Sequence, residues 1–380
     1  MAQRLKTDWI LFLTVLTLVC FGLVMVYSAS SFIAELKYHV SSTHFFVRQL
    51  GWAVVSFLLL LYCMRRDYRE WNNPKVAFAC LGIVMLLLVA VYLADGGTHR
   101  WLRAGPFSMQ PSELAKPALA LFLAFFLCRR LDAINERHTL GPIAVVVSVM
   151  ALAVAIADFG TAVVLVAMTV AVMYVAGIET RYMAMCGVLG LLLGIAFIAM
   201  KPYRLMRAIE FVDKDHKLLA KIDPKGHILQ YAHQTASTSD PGYQQRQSKI
   251  AVGSGGLTGV GLMQSKQKLL YLPEAHTDFI YGIVGEETGL LGASLLIVGF
   301  GVLLWRGIRT FVRTGDPFGR YLALGVTVCV VLQALLNMSV VLGLAPNKGI
   351  PLPFISSGGS SLMSTLVMMG MLLSVSEHAG

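Results

Sequence analysis

Apolar positions along this chain fall in long runs separated by short polar connections. About 20 apolar residues in a row cross a bilayer, and ten runs are read as spans: residues 9–29, 45–64, 76–94, 112–128, 142–157, 160–177, 183–200, 279–304, 319–343 and 357–376. Hydrocarbon offers no partner to a free backbone N–H or C=O, so every span is predicted to be an α-helix. The expected fold is all-α: a polytopic membrane protein with about ten transmembrane helices in a single membrane domain, residues 1–380. One connection is long. Residues 201–277, between spans seven and eight, form a large extracytoplasmic loop in this reading. No internal repeat is evident.

Composition agrees with the pattern. Hydrophobic residues make up 56% and charged residues 14% of the chain, against about 25% charged in soluble domains, and the mean hydropathy is +0.69. The first run, Trp9 to Ala29, is too long for a signal peptide and lacks a small-residue cleavage site. The six cysteines form no CxxC pair, and the nine histidines show no HExxH spacing, so neither a disulfide framework nor a protein-held metal is expected.

Lysine and arginine in the short loops set the orientation. One set of connections, with Arg320 at the edge of the ninth span, carries 14 of them, from Arg4 and Lys6 to Arg313 and Arg320. The opposite set carries only 4: Lys37, Arg100, Arg103 and Lys348. Both termini are therefore expected in the cytoplasm and the long loop outside. From Lys201 to Pro273 that loop holds 11 Lys/Arg against 5 Asp/Glu, which suits either a lipid-hugging segment or a surface for a phosphate-bearing ligand.

Several polar residues stand where a membrane disfavours them. The segment LLYLPEAHTDFIYGIVGEETGLL (269–291) carries Glu274, His276 and Asp278 at the outer end of the eighth span, then Glu286 and Glu287. At helical rise the last two lie roughly 12 Å deeper than Asp278. Asp278 admits a plain reading, with Thr277 as N-cap and the carboxylate beside the helix dipole. Ionisable groups at membrane depth, however, usually face a cavity or a partner. Arg100, Trp101, Arg103, Glu113 and Lys116 fall at the mouth of the fourth span, with Glu113 and Lys116 spaced to pair. Asp158 lies in the turn ADFGT, where capping is again the plain reading. Lys348 and the turn ISSGGSS, with Ser356, Gly358 and Gly359, lead into the last span. A second glycine-rich turn, AVGSGGLTGVG, precedes the acidic segment. Such turns present backbone N–H groups to phosphates, but neither fits GxxxxGK[ST] or GxGxxG. Nucleotide binding is not supported, and nucleic acid is not an expected partner. GxxxG pairs at Gly190/Gly194 and Gly285/Gly289 fit close helix packing.

VMVYSAS, HRWLRAGPFSMQPSELAK, ADFGT, PEAHTDFIYGIVGEETG and NKGIPLPFISSGGSS occur in this order from one end of the chain to the other. Together they resemble the SEDS family, the FtsW, RodA and SpoVE proteins of bacterial shape, elongation, division and sporulation. SGGLTGVGLMQSKQKLLYLPEAHTDFI and the Lys-Gly of NKGIPLP are closer to its division branch. Three positions depart from the family's pattern: Ser357 replaces a usual Tyr, Thr288 a usual Leu, and Ala157 a usual Pro.

The resemblance implies a peptidoglycan glycosyltransferase of the bacterial inner membrane, active in cell division, that polymerises lipid II. It implies Asp278 as the essential carboxylate and a class B penicillin-binding protein, with other division proteins, as partners. The chemistry is consistent with one carboxylate. Pyrophosphate leaves without a proton, whereas the acceptor hydroxyl needs a general base. Arg100, Arg103, Lys116 and Lys348 are the candidate cations for the leaving group, with Gly358 and Gly359 as backbone donors. Trp101, Glu113, His276 and Ser356 complete the candidate substrate-binding set. No resident cofactor is expected; Mg or Mn bridging the substrate pyrophosphate is compatible with the pattern. Two rival readings are a lipid II flippase, which needs polar groups through the whole membrane depth, and a non-catalytic scaffold for a transpeptidase, which would tolerate loss of Asp278.

Overall fold

The computed structural model describes residues 7–94, 100–104, 107–200, 202–212 and 242–378. Residues 213–241 of the predicted loop, with Arg4 and Lys6, lie outside the described residues.

In chain order the helices are α1 (Trp9–Leu36), α2 (His44–Arg65), α3 (Pro74–Ala94), α4 (Pro111–Leu127), α5 (Arg137–Ala157) and α6 (Phe159–Ala176). They continue with α7 (Thr180–Ala199), α8 (Pro202–Val212), α9 (Tyr243–Ser254), α10 (Ile280–Arg313), α11 (Pro317–Val341) and α12 (Gly359–Glu377). Among the described residues nine of these are long and apolar enough to cross a membrane. The tenth predicted span is α4, at 17 residues. A short antiparallel hairpin, β1 (Leu102–Ala104) and β2 (Phe107–Met109), precedes α4 and sets Arg103 opposite Ser108.

Helices α4, α11 and α12 form the centre. Helix α12 lies along α2 and α4, and α11 packs against α4, α6 and α10. Burial is what makes α4 tolerable in a bilayer despite two charges. Lys116 Nζ meets Glu113 Oε2 at 2.6 Å and Gln333 Oε1 of α11 at 2.7 Å, and both charged side chains are 1% exposed. Removing either partner would strand the other charge, the costly case for a buried pair. Pro117 has no N–H to offer the Glu113 carbonyl one turn earlier. Ser364 Oγ of α12 donates to that carbonyl instead, at 2.7 Å.

Helix α10 is not the straight span its sequence predicts. It breaks at Gly289, where φ is 66° and ψ −166°. A break exposes backbone groups that hydrocarbon cannot satisfy, and the glycine-rich turn after α9 supplies partners to four of them. Val260 N donates to Glu286 O (3.0 Å) and Gly261 N to Glu287 O (3.1 Å). In return Leu290 N donates to Gly256 O (2.9 Å) and Leu291 N to Leu257 O (3.1 Å). The approach is so close that a β-carbon on Gly259 would collide with the Glu287 carbonyl. The stretch from Leu290 to Arg313 is long enough by itself, at ~36 Å, to cross the hydrocarbon. The turns before the break are therefore a separate buried block rather than a deeper part of one continuous span.

Glu286 and Glu287 hold the same turn from their side chains. Glu287 Oε1 pairs with Lys268 Nζ at 2.8 Å, and Ser28 Oγ of α1 donates to Glu287 Oε2 at 2.6 Å. Glu286 accepts from Ser265 Oγ and from the backbone N–H groups of Lys266 (2.9 Å) and Gln267 (3.3 Å). The two carboxylates fix residues 265–268, from which the chain runs directly to Asp278. Of the GxxxG positions, Gly285 meets Val252 of α9, whereas Gly289 is the break itself. A β-carbon added at Gly190 or Gly194 would meet no atom of another described element within 4 Å.

Candidate active site

Six stretches distant in sequence converge where α10 begins: the residue before Trp101 and β1, the α5–α6 break, α8, the start of α9, the segment ending at Asp278, and the turn between α11 and α12. They enclose a cavity of about 290 Å³. Asp278 lies in its wall with Arg100, Asp158, Arg204, Arg207, Glu274 and Lys348.

Backbone contacts fix Asp278 in place. Asn337 Nδ2 donates at 2.7 Å to both the Asp278 carbonyl and the Ile350 carbonyl, tying the segment to α11 and to the following turn. Thr277 does not cap α10. Its hydroxyl donates to Glu274 Oε2 at 2.9 Å, and the N-cap position falls on Phe279, which makes no side-chain cap bond. Leu270 and Glu274 hold positive φ, 69° and 56°, strain of a kind that clusters at functional sites.

The Asp278 carboxylate is left without a hydrogen-bond donor among the described residues. It keeps some solvent exposure through the cavity, yet protein surrounds it closely. Burial pushes its carboxyl from 3.8 up to about 7; the Arg100 charge opposes this, while Asp158, Glu274 and Glu113 add to it. Gly349 faces it so closely that a β-carbon there would stand 2.5 Å from Asp278 Oδ2.

The cations have their own supports. Arg100 Nη2 lies 3.2 Å from Asp158 Oδ2. Asp158 is also the N-cap of α6, accepting from Thr161 N at 3.1 Å, and it takes Gln110 Nε2 at 2.9 Å. The capping reading of Asp158 therefore holds, and the same carboxylate orients Arg100. Lys348 Nζ sits 4.0 Å from the Phe159 ring centre. Burial, then Arg204 and Arg207, lower its ammonium to about 8. Like charges crowded in this way favour an incoming anion.

The other predicted residues divide among several places. Arg100 and Lys348 join Asp278 in the cavity. Trp101 and Arg103 line a separate groove on the far side of Arg100. Glu113 and Lys116 pair with each other inside the bundle. His276 is buried with its ring 5.1 Å from that of Phe45; burial lowers its imidazole, Glu274 opposes and Lys37 assists. Ser356 Oγ donates to Thr277 O at 2.7 Å and accepts from Leu352 N at 2.8 Å, clamping the two turns together. Gly358 N donates to Gln49 Oε1 at 3.1 Å, and Gly359 packs on Trp52. In this arrangement neither glycine lines the cavity. Sequence reasoning missed Arg204, Arg207, Gln244 and Asn347. Arg204 and Arg207 share one face of α8 at i, i+3, a signal that PYRLMRAIEFV carries.

The family model described as "Cell cycle protein", which covers FtsW, RodA and SpoVE, matches residues 8–380. The chain belongs to this family. It is 37% identical over 379 residues to "Probable peptidoglycan glycosyltransferase FtsW" of Geobacter metallireducens, covering 98% of this chain and 95% of that one. It is 35% identical to "Stage V sporulation protein E" of Bacillus subtilis, covering 99% of each. Among solved structures it matches a chain in "Structural coordination of polymerization and crosslinking by a peptidoglycan synthase complex", with TM-score 0.75, 25% identity and 98% of both chains covered. The Rod shape determining protein RodA of Thermus thermophilus shares the fold, with TM-score 0.68, 24% identity and 98% coverage of each chain. The FtsW/RodA/SpoVE fold thus accounts for the whole chain, as an integral membrane protein.

Proposed function

We propose that this protein is a peptidoglycan glycosyltransferase acting in cell division, with Asp278 as its general base. The observation that carries the reading is one raised carboxyl, free of donors among the described residues, facing a cluster of cations across a small cavity. A base whose pKa lies near the working pH combines adequate ionisation with adequate proton affinity. Asp278 takes the proton from the 4-hydroxyl of the GlcNAc of an incoming lipid II. The oxygen attacks the anomeric carbon of the lipid-linked growing strand and inverts it from α to β, and undecaprenyl pyrophosphate departs. Arg100, Lys348, Arg204 and Arg207 stabilise the charge that develops on the pyrophosphate. The Asp158 carboxylate holds Arg100 in position.

The same placement supports an orientation. Asp8 and Arg306 pair at 2.6 Å at the opposite end of α10 from Asp278, the end that carries most of the loop lysines and arginines. By the positive-inside rule that end is cytoplasmic. The cavity then opens at headgroup height on the outer face, where the isoprenoid chain lies in the leaflet and the sugars lie outside it.

A divalent ion fits the protein's own side chains poorly. Among the described residues no three metal-ligating groups converge, and Asp158 is already committed to Arg100, Gln110 and Thr161. Mg or Mn would arrive on the substrate pyrophosphate, and no step above requires it. The similarity to a chain of a synthase complex that couples polymerisation to crosslinking supports a class B penicillin-binding protein as partner.

The test is lipid II polymerisation by the purified chain with its cognate transpeptidase, native against Asp278→Asn at equal expression and pairing. Glycan strands from the native complex and none from the variant are expected. Polymer from the variant would remove Asp278 from the base role. An inactive native complex with an active transpeptidase would favour the flippase or scaffold reading.

A further inference from the structure

The cavity at Asp278 encloses about 290 Å³, at the small end of the roughly 300–1,000 Å³ that drug-sized ligands fill. It has room for the reacting sugar and its phosphate, but not for two disaccharide heads with their peptides. The proposed reaction joins two such heads, so most of one must lie outside it. The described residues offer a second, larger hollow beside it: an open groove of about 840 Å³ between the top of α2 and the β1–β2 hairpin.

The two hollows share a wall. Arg100 lines the cavity and Trp101, the next residue, lines the groove, with the guanidinium 5.9 Å from the indole centre. A second link runs through Phe45 at the start of α2, whose ring lies 5.1 Å from that of His276, two residues from Asp278. The lining has the mixed character a saccharide with charged substituents requires. Trp101 offers a flat apolar face for the C–H side of a sugar ring. Ser41, Thr43, His44 and Ser108 offer hydrogen-bonding groups. Arg48 and Arg103 stand exposed in the walls, and Arg48 Nη2 spends one donor on Ser108 Oγ at 2.6 Å. A guanidinium has five N–H donors, and the remainder match a carboxylate's paired oxygens. No acidic side chain lines the groove among the described residues.

We propose that this groove seats the glycan strand beyond the reacting sugar, with Trp101 stacking on a sugar and Arg48 and Arg103 binding carboxylates of the peptide stems. The assignment rests on the polymerase reading of the cavity and extends it to a subsite. It gives separate places to the two lipid-linked substrates, with the Arg100–Trp101 step as the boundary between chemistry and holding.

The test uses the full chain carrying Asp278→Asn, in phosphatidylcholine nanodiscs, so that the probe binds without being extended. The probes are a soluble uncrosslinked glycan oligomer with peptide stems and the same oligomer after the stems are cut off. Three results are expected. The stemmed oligomer binds more tightly. Combining Arg48→Gln with Arg103→Gln weakens it about tenfold and abolishes the preference for stems. Trp101→Ala weakens both oligomers about tenfold. Binding within twofold of the parent in all variants, or no binding by the parent, would overturn the assignment. So would binding that disappears when the discs contain phosphatidylglycerol, since the cations would then belong to lipid headgroups. If Trp101→Ala does not fold, the arginine pair on the exposed rim decides alone. Failure of the polymerase reading is separate: it appears as absent strand synthesis by the native complex while the oligomer still binds.

Discussion

Replacing Asp278 by Asn should abolish polymerisation and stabilise the protein at the same time. The native fold holds this carboxyl at about 7, against 3.8 ordinarily. That rise corresponds to ~4 kcal/mol at about 1.4 kcal/mol per pH unit. Partial exposure to solvent in the cavity cuts the figure by about half, to ~2 kcal/mol. The sign follows from the raised value. The fold prefers the protonated form, so the favourable contribution is complete below 3.8 and is lost as pH rises through about 7. Asparagine is neutral at every pH and mimics the preferred form. The variant should therefore exceed the native chain in stability by ~2 kcal/mol at pH 8 and by under ~1 kcal/mol at pH 5. Thermal unfolding followed by tryptophan fluorescence, in one detergent at both pH values, reads this as a midpoint raised by ~2–3 °C at pH 8 for a chain of this length. Polymerisation should fall by about 10²–10⁴, the usual worth of a general base. A capping aspartate behaves oppositely, costing ~1 kcal/mol on removal. A midpoint lowered equally at pH 5 and pH 8 would refute the reasoning, even if activity were lost.

The pH dependence of kcat/KM should be bell-shaped, rising through about 7 as Asp278 ionises and falling through about 8 as Lys348 loses its proton; a profile flat from pH 6 to 9 would oppose both roles. Gly349→Ala places a methyl 2.5 Å from Asp278 Oδ2, and strand synthesis at pH 7.5 should drop more than ~10-fold, by the general sensitivity of catalysis to small misplacements, with folding monitored by size exclusion. Glu287→Gln leaves Lys268 buried without its counter-charge, so unfolding experiments should show a loss of ~3–5 kcal/mol, and synthesis should fall with it because residues 265–278 lose their anchor.

How much of this was legible beforehand differs by feature. The spans were legible because hydrocarbon imposes one rule on every backbone group, and nine of ten are candidate membrane helices by length and composition. The tenth, α4, passes as a span only through tertiary burial: Lys116 is acceptable there because Gln333, 217 residues away, accepts its second hydrogen bond. Asp278, Arg100 and Lys348 were legible as candidates because ordered motifs surround them and charges at a membrane boundary stand out. Arg204 and Arg207 were not, because they sit in a segment where basic residues are common and a solvated face is the ordinary explanation. Glu286 and Glu287 show the converse. Their depth left open whether they face a cavity or a partner, and the structure employs them as anchors for the segment that leads to Asp278.

Sequence alone determined that this chain is a membrane bundle, where its helices run and which residue types gather toward one end. Those are consequences of local rules, apolar length and the cost of an unpaired backbone group, which need no knowledge of neighbours. Tertiary structure decided which charges meet. The break at Gly289 is specified by a turn some 30 residues earlier in the chain, whose N–H and C=O groups complete it. The high pKa of Asp278 arises from burial by segments far apart in the chain, reinforced by the Asp158, Glu274 and Glu113 charges and opposed by Arg100. Such properties depend on distances through space, and spacing along the chain does not encode them.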